Sequence, residues 1–429
     1  MKRLGGHVAT IELTLFVVIY AMQGVVVAYL INFNKLYMTA AGVDARLAGW
    51  VETVVLLTLV FKFLFGPLSD AVSPFGLGHR LPYIIFGIVL QTAGLLLLGA
   101  VNPAHALAAY AAAALLAVLG LALYDTCCDG MVVDVTPPAD RARVQAALQV
   151  ARFLATMICT YGFGRWISVT GLGPGKSGGV IWSCAALGVI PLILALLSRE
   201  RPLHPDLIED RFDWLALRVM LRPRALALLG FGACYGIIGL GVEFNLSPFY
   251  DHLGLGAGDL GTCAAVRYLG RAAGAVLMST AGRRLGRRGR IATGLIALAT
   301  TTALQATVVG SASAAAGAFV FGVANGWNDA LFCVLAMELS DPRIAASTFA
   351  LFMAISNLAA LGDGLFGEAR NLFDGAFRPV FVLFAALALV ILGFVPILAS
   401  RHDTARDLDD ATQPSPNPAA HGAHAGADA

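Results

Sequence analysis

Long apolar runs separated by short polar segments follow one another along the whole chain. A membrane-spanning helix needs about 20 mostly apolar residues, and each of these runs reaches that length. The pattern therefore predicts an all-α membrane protein with twelve transmembrane helices. The predicted spans lie near residues 10–33, 47–67, 82–101, 106–132, 143–167, 178–198, 224–250, 259–281, 290–310, 312–338, 344–369 and 378–400.

The spans are predicted to form two pseudo-symmetric six-helix bundles, over residues 1–198 and 224–400. Between them, 199–223 is the longest polar stretch inside the chain and is predicted to be a cytoplasmic linker. The residues after the tenth helix resemble those after the fourth, with Arg343 placed 202 positions after Arg141. Two related halves that face each other are the architecture of many secondary transporters.

The composition agrees with a protein of the lipid bilayer. Hydrophobic residues make up 58% of the chain and charged residues 13%, where soluble domains have about 45–50% and about 25%. A nucleic-acid-binding protein is excluded, and the net charge of +2 indicates no acidic partner. The seven cysteines lie in apolar segments without metal-ligand spacing, so we expect no metal and no cofactor. The polar tail, 401–429, is predicted to be disordered.

Basic residues are distributed unequally between the two sides of the predicted spans. Of the 29 Lys and Arg residues, 19 lie on the side of both termini, 6 on the other side and 4 inside spans. Because cytoplasmic segments carry the excess of Lys and Arg, both termini are predicted to be cytoplasmic. The first apolar run has no small-residue cleavage site and is predicted to remain as helix one. We expect a monomer in a bacterial inner membrane.

Two arginines near the middle of helix eight are the first candidates for a binding site. Arg267 and Arg271 are four residues apart and therefore share one face of the helix. Charges inside a span are costly and usually face the bundle interior or a water-filled cavity. Two neighbouring cations require an anion, which is either a substrate group or a partner carboxylate that merely holds helices together.

Helix five carries a polar stripe on one face. The stripe consists of Gln145, Gln149, Arg152, Thr156 and Thr160, at helical spacings. Arg152 lies roughly 15 Å from the cytoplasmic end of the helix. We expect Arg152 and Gln149 to bind an anionic solute, with helix packing as the alternative role of the arginine.

Acidic residues in helix four are the candidates for proton coupling. Asp125 and Asp129 are one turn apart, and Asp125 is deep enough to reach Arg152 on the next helix. Intramembrane acids of this kind relay protons in pumps and transporters. Asp129 and Asp134 lie nearer the cytoplasm and are predicted to pair with arginines of the cytoplasmic loops.

Polar residues on three further helices complete the predicted site. Asn325, Asn328 and Asp329 on helix ten lie near the height of the helix-four acids, and Asp329 is the second candidate for proton coupling. Tyr20 and Gln23 on helix one are predicted to face the same cavity. Lys62 is expected either to face it or to extend toward the interface. The acids near outer helix ends are expected to be solvated: Glu52, Glu243, Asp363 and Glu368.

Two loops carry a recognisable motif. The loop after helix two contains Gly66-Pro67-Leu68-Ser69-Asp70 and then Gly78-His79-Arg80, and the loop after helix eight contains Gly282-Arg283-Arg284-Leu285-Gly286-Arg287-Arg288. With the twelve-helix plan, these loops resemble the major facilitator superfamily, whose signature is G-x-L-x-D followed by G-[RK]-[RK]. The resemblance implies a cytoplasmic latch between the halves. The gating residues are then Gly66, Asp70, Arg80, Asp129, Asp134, Arg141, Gly286 and Arg287.

Within the superfamily, stretches 41–44, 62–70, 125–141 and 346–351 are similar to the branch of muropeptide permeases and acetyl-coenzyme A transporters. This implies a proton-coupled secondary active transporter, not an enzyme, that moves an organic, anionic or amphiphilic solute by alternating access. The expected partners are the solute, protons and the lipid bilayer. The stretch 78–84 also resembles glycoside–cation symporters and the non-transporting PucC-type assembly factors, and both remain alternatives.

Overall fold

The computed structural model of the protein describes residues 10–65, 68–69, 72, 80–135, 138–198, 221–339 and 345–399. Within these residues every regular element is a helix. The helices of the first half are α1 (Thr10–Asn32, resumed as Asn34–Ala40), α2 (Ala45–Leu57, continued by a 3-10 turn, Thr58–Leu64), α3 (Leu81–Ala100), α4 (Leu107–Val135), α5 (Pro138–Thr170) and α6 (Gly178–Leu187 and Val189–Leu197).

The second half repeats this plan. Its helices are α7 (Pro223–His252), α8 (Ala257–Thr280), α9 (Arg287–Gln305), α10 (Ser311–Leu339), α11 (Ala345–Ser356 and Leu361–Leu372) and α12 (Arg378–Val390 and Val395–Leu398). Eight of the described helices are long and apolar enough to cross a membrane by composition alone. Charged residues lower the apolar content of others, for example Arg152 in α5 and Arg267 in α8.

The helices form two six-helix bundles, α1–α6 and α7–α12, which face each other along two seams. In one seam α5 packs against α8, and in the other α2 packs against α11. Inside each bundle the equivalent helices make equivalent contacts, since α1 packs on α5 as α7 packs on α11. The predicted all-α class with two pseudo-symmetric bundles is confirmed.

Glycines bring α8 and α10 into backbone contact. A Cβ at Gly274 would lie 2.0 Å from the carbonyl oxygen of Val323, and a Cβ at Gly322 would lie 2.1 Å from that of Arg267. Small residues at four-residue spacing allow membrane helices to pack this closely. The crossing fixes the backbone of both α8 arginines directly beside α10, because Gly326 contacts the carbonyl of Arg271 in the same way.

Two further close crossings position the first half. A Cβ at Gly24 of α1 would lie 2.3 Å from the carbonyl oxygen of Arg152, so the α5 arginine is held against α1. At the α5–α8 seam, a Cβ at Gly164 would lie 2.7 Å from the Cα of Gly261. The two halves therefore meet there backbone to backbone.

Three acids that were expected to be solvated are buried, so that expectation is wrong for them. Glu52, Glu243 and Asp363 are 3%, 1% and 0% exposed. Helices of the same half or the opposite half cover each of these side chains, which a depth count along a single helix does not reveal. Glu368 is partly exposed, as expected.

Lys35 follows the first predicted span, 10–33, and would therefore lie in a loop, but it is a buried helical residue, 4% exposed. The chain breaks only briefly at Phe33 and resumes as a helix that still packs inside the bundle. Several predicted features lie outside the described residues: most of the linker 199–223, the tail 401–429, and the loop residues Gly66 and Asp70. The predicted domain boundaries remain predictions.

Candidate functional site

Five side chains of the first half meet in a polar cluster between α1, α2 and α4. The hydroxyl of Tyr20 donates a hydrogen bond to Asp129. Nε2 of Gln23 donates to Oδ1 of Asp125 at 2.7 Å, and Nζ of Lys62 lies 3.2 Å from Oδ2 of the same carboxylate. The structure therefore brings together Tyr20, Gln23 and the two acids of α4, with Tyr20 and Gln23 themselves buried.

The partners of the α4 acids differ from those expected. Asp125 pairs with Lys62, and no ion pair within 4 Å links it to Arg152 in the part of the chain described. Lys62 is 20% exposed and points toward Asp125, so its extension toward the interface is wrong. It lies on the 3-10 turn that ends α2, which directs the side chain back toward α4.

Arg152 lies beside this cluster and has no ion-pair partner among the described residues. Its guanidinium interacts electrostatically with Lys62 and Asp129, yet no described acid lies within ion-pairing distance of it. The residue is only partly buried. Gln149, one turn nearer the cytoplasm, is also partly buried and has no hydrogen-bond partner among the described side chains.

The two threonines of the α5 stripe are satisfied within their own helix, whereas the side chain of Gln145 lies outside the described part of the chain. The hydroxyls of Thr156 and Thr160 donate to the carbonyls one turn earlier, at 2.9 and 2.6 Å. Both residues are buried. Among the described side chains of the stripe, Gln149 and Arg152 are thus the ones that can contact a solute.

The second half holds a denser charge cluster between α7, α8 and α10. Nε of Arg271 lies 2.7 Å from Oδ2 of Asp329, and Nη1 lies 3.1 Å from Oε2 of Glu243. Nε of Arg267 lies 3.4 Å from Oε1 of Glu243 and completes an ion pair with it. The anion that the paired arginines require is therefore supplied by two carboxylates of the same half.

The two arginines differ in access. Arg267 is 3% exposed at its side chain and donates from Nη2 to Oδ1 of Asn32, at 2.6 Å, across the seam between the halves. Arg271 is 19% exposed and its partner Asp329 is 36% exposed. Arg271 and Asp329 can meet a solute, whereas Arg267 joins α8 to α1.

Asn325 and Asn328 make packing contacts. Nδ2 of Asn328 donates to the carbonyl of Gly294 on α9 at 2.8 Å, and Asn325 bonds back to Phe321 in its own helix at 3.3 Å. Both are at least 97% buried. Neither side chain makes a hydrogen bond to Arg271 or Asp329 among the described residues.

The predicted gating residues are described in part. Arg287 pairs with Glu338 of α10 at 3.0 Å, and Gly286 precedes it as the exposed residue before α9. Arg80 donates to Ser69 at 2.6 Å, and its guanidinium packs on Gly130, where a Cβ would lie 2.7 Å from Cζ. The side chains of Asp134 and Arg141 lie outside the described part of the chain, although their backbones belong to α4 and α5.

Sequence reasoning missed a layer of contacts between the halves at the bundle ends remote from both termini. We call these the outer ends because both termini are predicted to be cytoplasmic. Lys35 of α1 pairs with Asp363 of α11 at 2.5 Å, and Arg46 of α2 pairs with Glu368 of α11 at 2.7 Å. Trp50 also donates to Glu368, at 2.8 Å. Among the described residues, every ion pair between the halves lies in this outer layer, so the outer ends of the bundles are held together.

A separate cavity of about 250 Å³ opens near the outer ends of α1, α5, α7 and α8. Its lining is mainly apolar: Phe33, Leu36, Ile167, Ser168, Leu172, Asp251, Ala257 and Leu260. None of the charged clusters contributes to it, and we assign it no function.

Two facing six-helix bundles with charged clusters buried between their helices define a membrane transporter. The sequence matches the family model of the Major Facilitator Superfamily over residues 13–363, and the chain belongs to that family. Its members are transporters and not enzymes.

The chain is similar to the anhydromuropeptide permease of Escherichia coli strain K12, with 26% identity over 379 residues, which cover 85% of this chain and 74% of the permease. Solved structures share the fold at lower identity. An inward-facing bacterial homologue of the human lysosomal transporter Spinster has a TM-score of 0.71 at 14% identity, covering 91% of this chain and 98% of the homologue. The inward-open xylose transporter XylE of E. coli has a TM-score of 0.65 at 14% identity, covering 93% and 98%.

Proposed function

We propose that the protein is a secondary active transporter that couples the movement of an organic anion to protons by alternating access. One observation carries the proposal: Arg152 is a partly accessible guanidinium without a carboxylate partner among the described residues. An unpaired cation inside a span is costly, and a bound anion removes that cost. Guanidinium groups also match carboxylate and phosphate groups through two parallel hydrogen bonds.

The chemistry around Arg152 supports a polar organic solute rather than a bare ion. Gln149 offers both an amide donor and an acceptor on the same face, and Arg271 adds a second accessible cation from the opposite half. A solute with an anionic group and several hydroxyl or amide groups fits these contacts. The similarity to the anhydromuropeptide permease makes muropeptide-like sugars the first class to test, followed by acyl-coenzyme A-like and siderophore-like molecules.

Proton coupling is proposed at Asp125, with Asp329 as the second candidate. Each carboxylate is paired with a base of its own half, Lys62 or Arg271, and each remains partly accessible. A solute anion that draws the base away leaves the carboxylate without its counter-ion, which favours uptake of a proton. Solute binding and proton binding are linked in this way.

Uptake into proteoliposomes tests the proposal. The purified protein is reconstituted and supplied with a radiolabelled muropeptide-like sugar under an imposed pH gradient. We expect the sugar to accumulate against its concentration gradient, and an uncoupler should abolish this accumulation. Both orientations of the pH gradient are tested. If no member of the three solute classes accumulates or exchanges, a PucC-type assembly role becomes the better proposal. Accumulation of neutral glycosides alone would favour a glycoside–cation symporter.

A further inference from the structure

A buried cluster at the outer seam contains more acid than base. We define the outer charge cluster as Lys35, Glu52 and Asp363, which belong to α1, α2 and α11. All three side chains are at least 96% buried. One ammonium and two carboxylates leave one negative charge without compensation. An uncompensated charge in an apolar interior is strongly disfavoured, and such groups bind a proton instead.

The hydrogen bonds of the cluster account for one oxygen of each carboxylate. Oδ1 of Asp363 accepts from Nζ of Lys35 at 2.5 Å and from Nδ2 of Asn245 at 2.8 Å. Oε1 of Glu52 accepts from Nδ2 of Asn34 at 3.0 Å. These contacts fix both carboxyl groups in position.

The other oxygen of each carboxylate has no donor. Oε2 of Glu52 and Oδ2 of Asp363 are buried and unpartnered, and the two carboxyl groups lie within hydrogen-bonding reach of each other. Two neighbouring carboxylates repel each other unless one of them carries a proton. A single proton shared between the two carboxyl groups removes this repulsion and neutralises the cluster.

From this arrangement we infer that Glu52 and Asp363 share one proton, and that this proton holds the outer ends of the two halves together. Glu52 belongs to the first half and Asp363 to the second, so the shared hydrogen bond crosses the seam. When the proton leaves for the external solution, the two carboxylates repel and the seam opens. The site is distinct from Asp125 and Asp329, and the inference rests on the proposed alternating access.

The surroundings isolate this proton site from other charges. On α1, α4 and α7 the facing groups are Asn34, Tyr110 and Asn245, which carry no formal charge; Tyr110 donates to Asn34 at 2.6 Å. Toward the outside, the Arg46–Glu368 pair contains one acid and one base. Toward the membrane centre, Glu243 is already matched by two arginines. The excess carboxylate therefore belongs to the outer charge cluster.

Infrared difference spectroscopy on the purified protein tests the shared proton directly. As the pH is raised, the wild-type protein should lose the C=O band of a protonated carboxyl group. Glu52→Gln and Asp363→Asn should each remove that component, because each replaces one of the sharing acids by an amide. Glu368→Gln is the matched control and should retain it. A difference band that is absent from the wild type, or unchanged in both Glu52→Gln and Asp363→Asn, overturns the inference.

Cysteine accessibility tests the effect on the seam. Gly367→Cys is introduced in a background without the seven native cysteines. A Cβ at this position lies 3.7 Å from the Cα of Arg46, so the new thiol is at the contact between the two halves. Its labelling by a membrane-impermeant maleimide is divided by that of the exposed external Ala376→Cys, which cancels the pH dependence of the thiol itself. The ratio should rise severalfold with external pH and stay low in Glu52→Gln. The inference is contradicted if the ratio does not change with pH in the protein that keeps Glu52. It is also contradicted if the ratio rises equally in the Glu52→Gln variant.

Neither measurement needs a solute or turnover. Failure of these two tests therefore leaves the transport proposal standing. Conversely, a protein that transports nothing can still show the shared proton. Elution of each variant as a single species on size exclusion confirms that it is folded before its spectrum is compared.

Discussion

Nζ of Lys62 lies 3.2 Å from Oδ2 of Asp125. The second half contains the same relationship between the equivalent helices, where Nε of Arg271 lies 2.7 Å from Oδ2 of Asp329. In both halves a tyrosine of the first helix also contacts the acidic helix, through Tyr20 to Asp129 and Tyr235 to Asp329. The pseudo-symmetry therefore extends from the helices to a basic, acidic and phenolic set in each bundle.

Arg152→Ala should weaken binding of an anionic solute by about 10- to 100-fold, because a hydrogen bond to a charged group contributes about 1.5–3 kcal/mol. Arg152→Lys should recover only part of this loss, since an ammonium lacks the planar fork. Isothermal titration or a thermal-shift titration of purified protein measures the affinity. Arg165→Ala, an exposed position on the same helix, is the control. Unchanged affinity in Arg152→Ala would place the site elsewhere.

Asp125→Asn should retain solute exchange but lose accumulation driven by a pH gradient. The amide imitates the protonated acid and cannot release a proton. Exchange and accumulation are measured in the same proteoliposomes, and exchange itself shows that the variant is folded. Asp259→Asn, at an exposed position in the first turn of α8, should keep both activities. If Asp125→Asn still concentrates solute, the coupling acid is to be sought at Asp329.

Arg271→Met should destabilise the protein by about 3 kcal/mol, because it leaves Glu243 and Asp329 short of a counter-ion inside the bundle. The double variant Arg271→Met, Glu243→Gln removes one of those charges and should recover part of the thermal stability. Solute binding should remain impaired in both. Recovery of binding together with stability would indicate that Arg271 only holds helices together.

Gly274→Ala should lower the thermal stability by about 1–3 kcal/mol through overpacking. The new methyl group would meet the carbonyl of Val323, only 2.0 Å away, and force α8 from α10. Gly162→Ala, a helical glycine with open space around it, should be neutral or stabilising by up to about 1 kcal/mol. Equal denaturation temperatures for the two variants would argue against the tight crossing.

The helical class could be predicted from the sequence, because span length and loop charge are local signals. Charged residues inside spans are local signals too, and in this way the sequence indicated Arg152 and the α4 acids as candidate site residues. The partner of Asp125 could not be predicted, since Lys62 and Arg152 have compatible heights and only helix packing distinguishes them. The same holds for Asn325 and Asn328, whose polarity along one helix gives no direction in three dimensions.

The outer seam was missed for a related reason. Glu52 lies seven residues into α2 and so, counted along its own helix, roughly 10 Å from the outer end, where water would normally reach. Its burial depends on α1 and α11, which come from distant parts of the chain. The break of α1 at Phe33 could not be predicted, because no proline or glycine marks it in the sequence. Lys35, which pairs with Asp363, lies directly after this break.

The backbone contact of Gly164 with Gly261 has a mechanical consequence. Van der Waals contact between two smooth helix surfaces has no preferred direction, whereas hydrogen bonds and ion pairs do. The described residues make no hydrogen bond or ion pair between α5 and α8. Under the proposed alternating access, these helices can thus rotate about their crossing point without breaking such a bond, while the Lys35–Asp363 ion pair must break and reform. The crossing would act as a rotation axis, and enlarging a glycine there should slow the exchange between conformations more than it changes their populations.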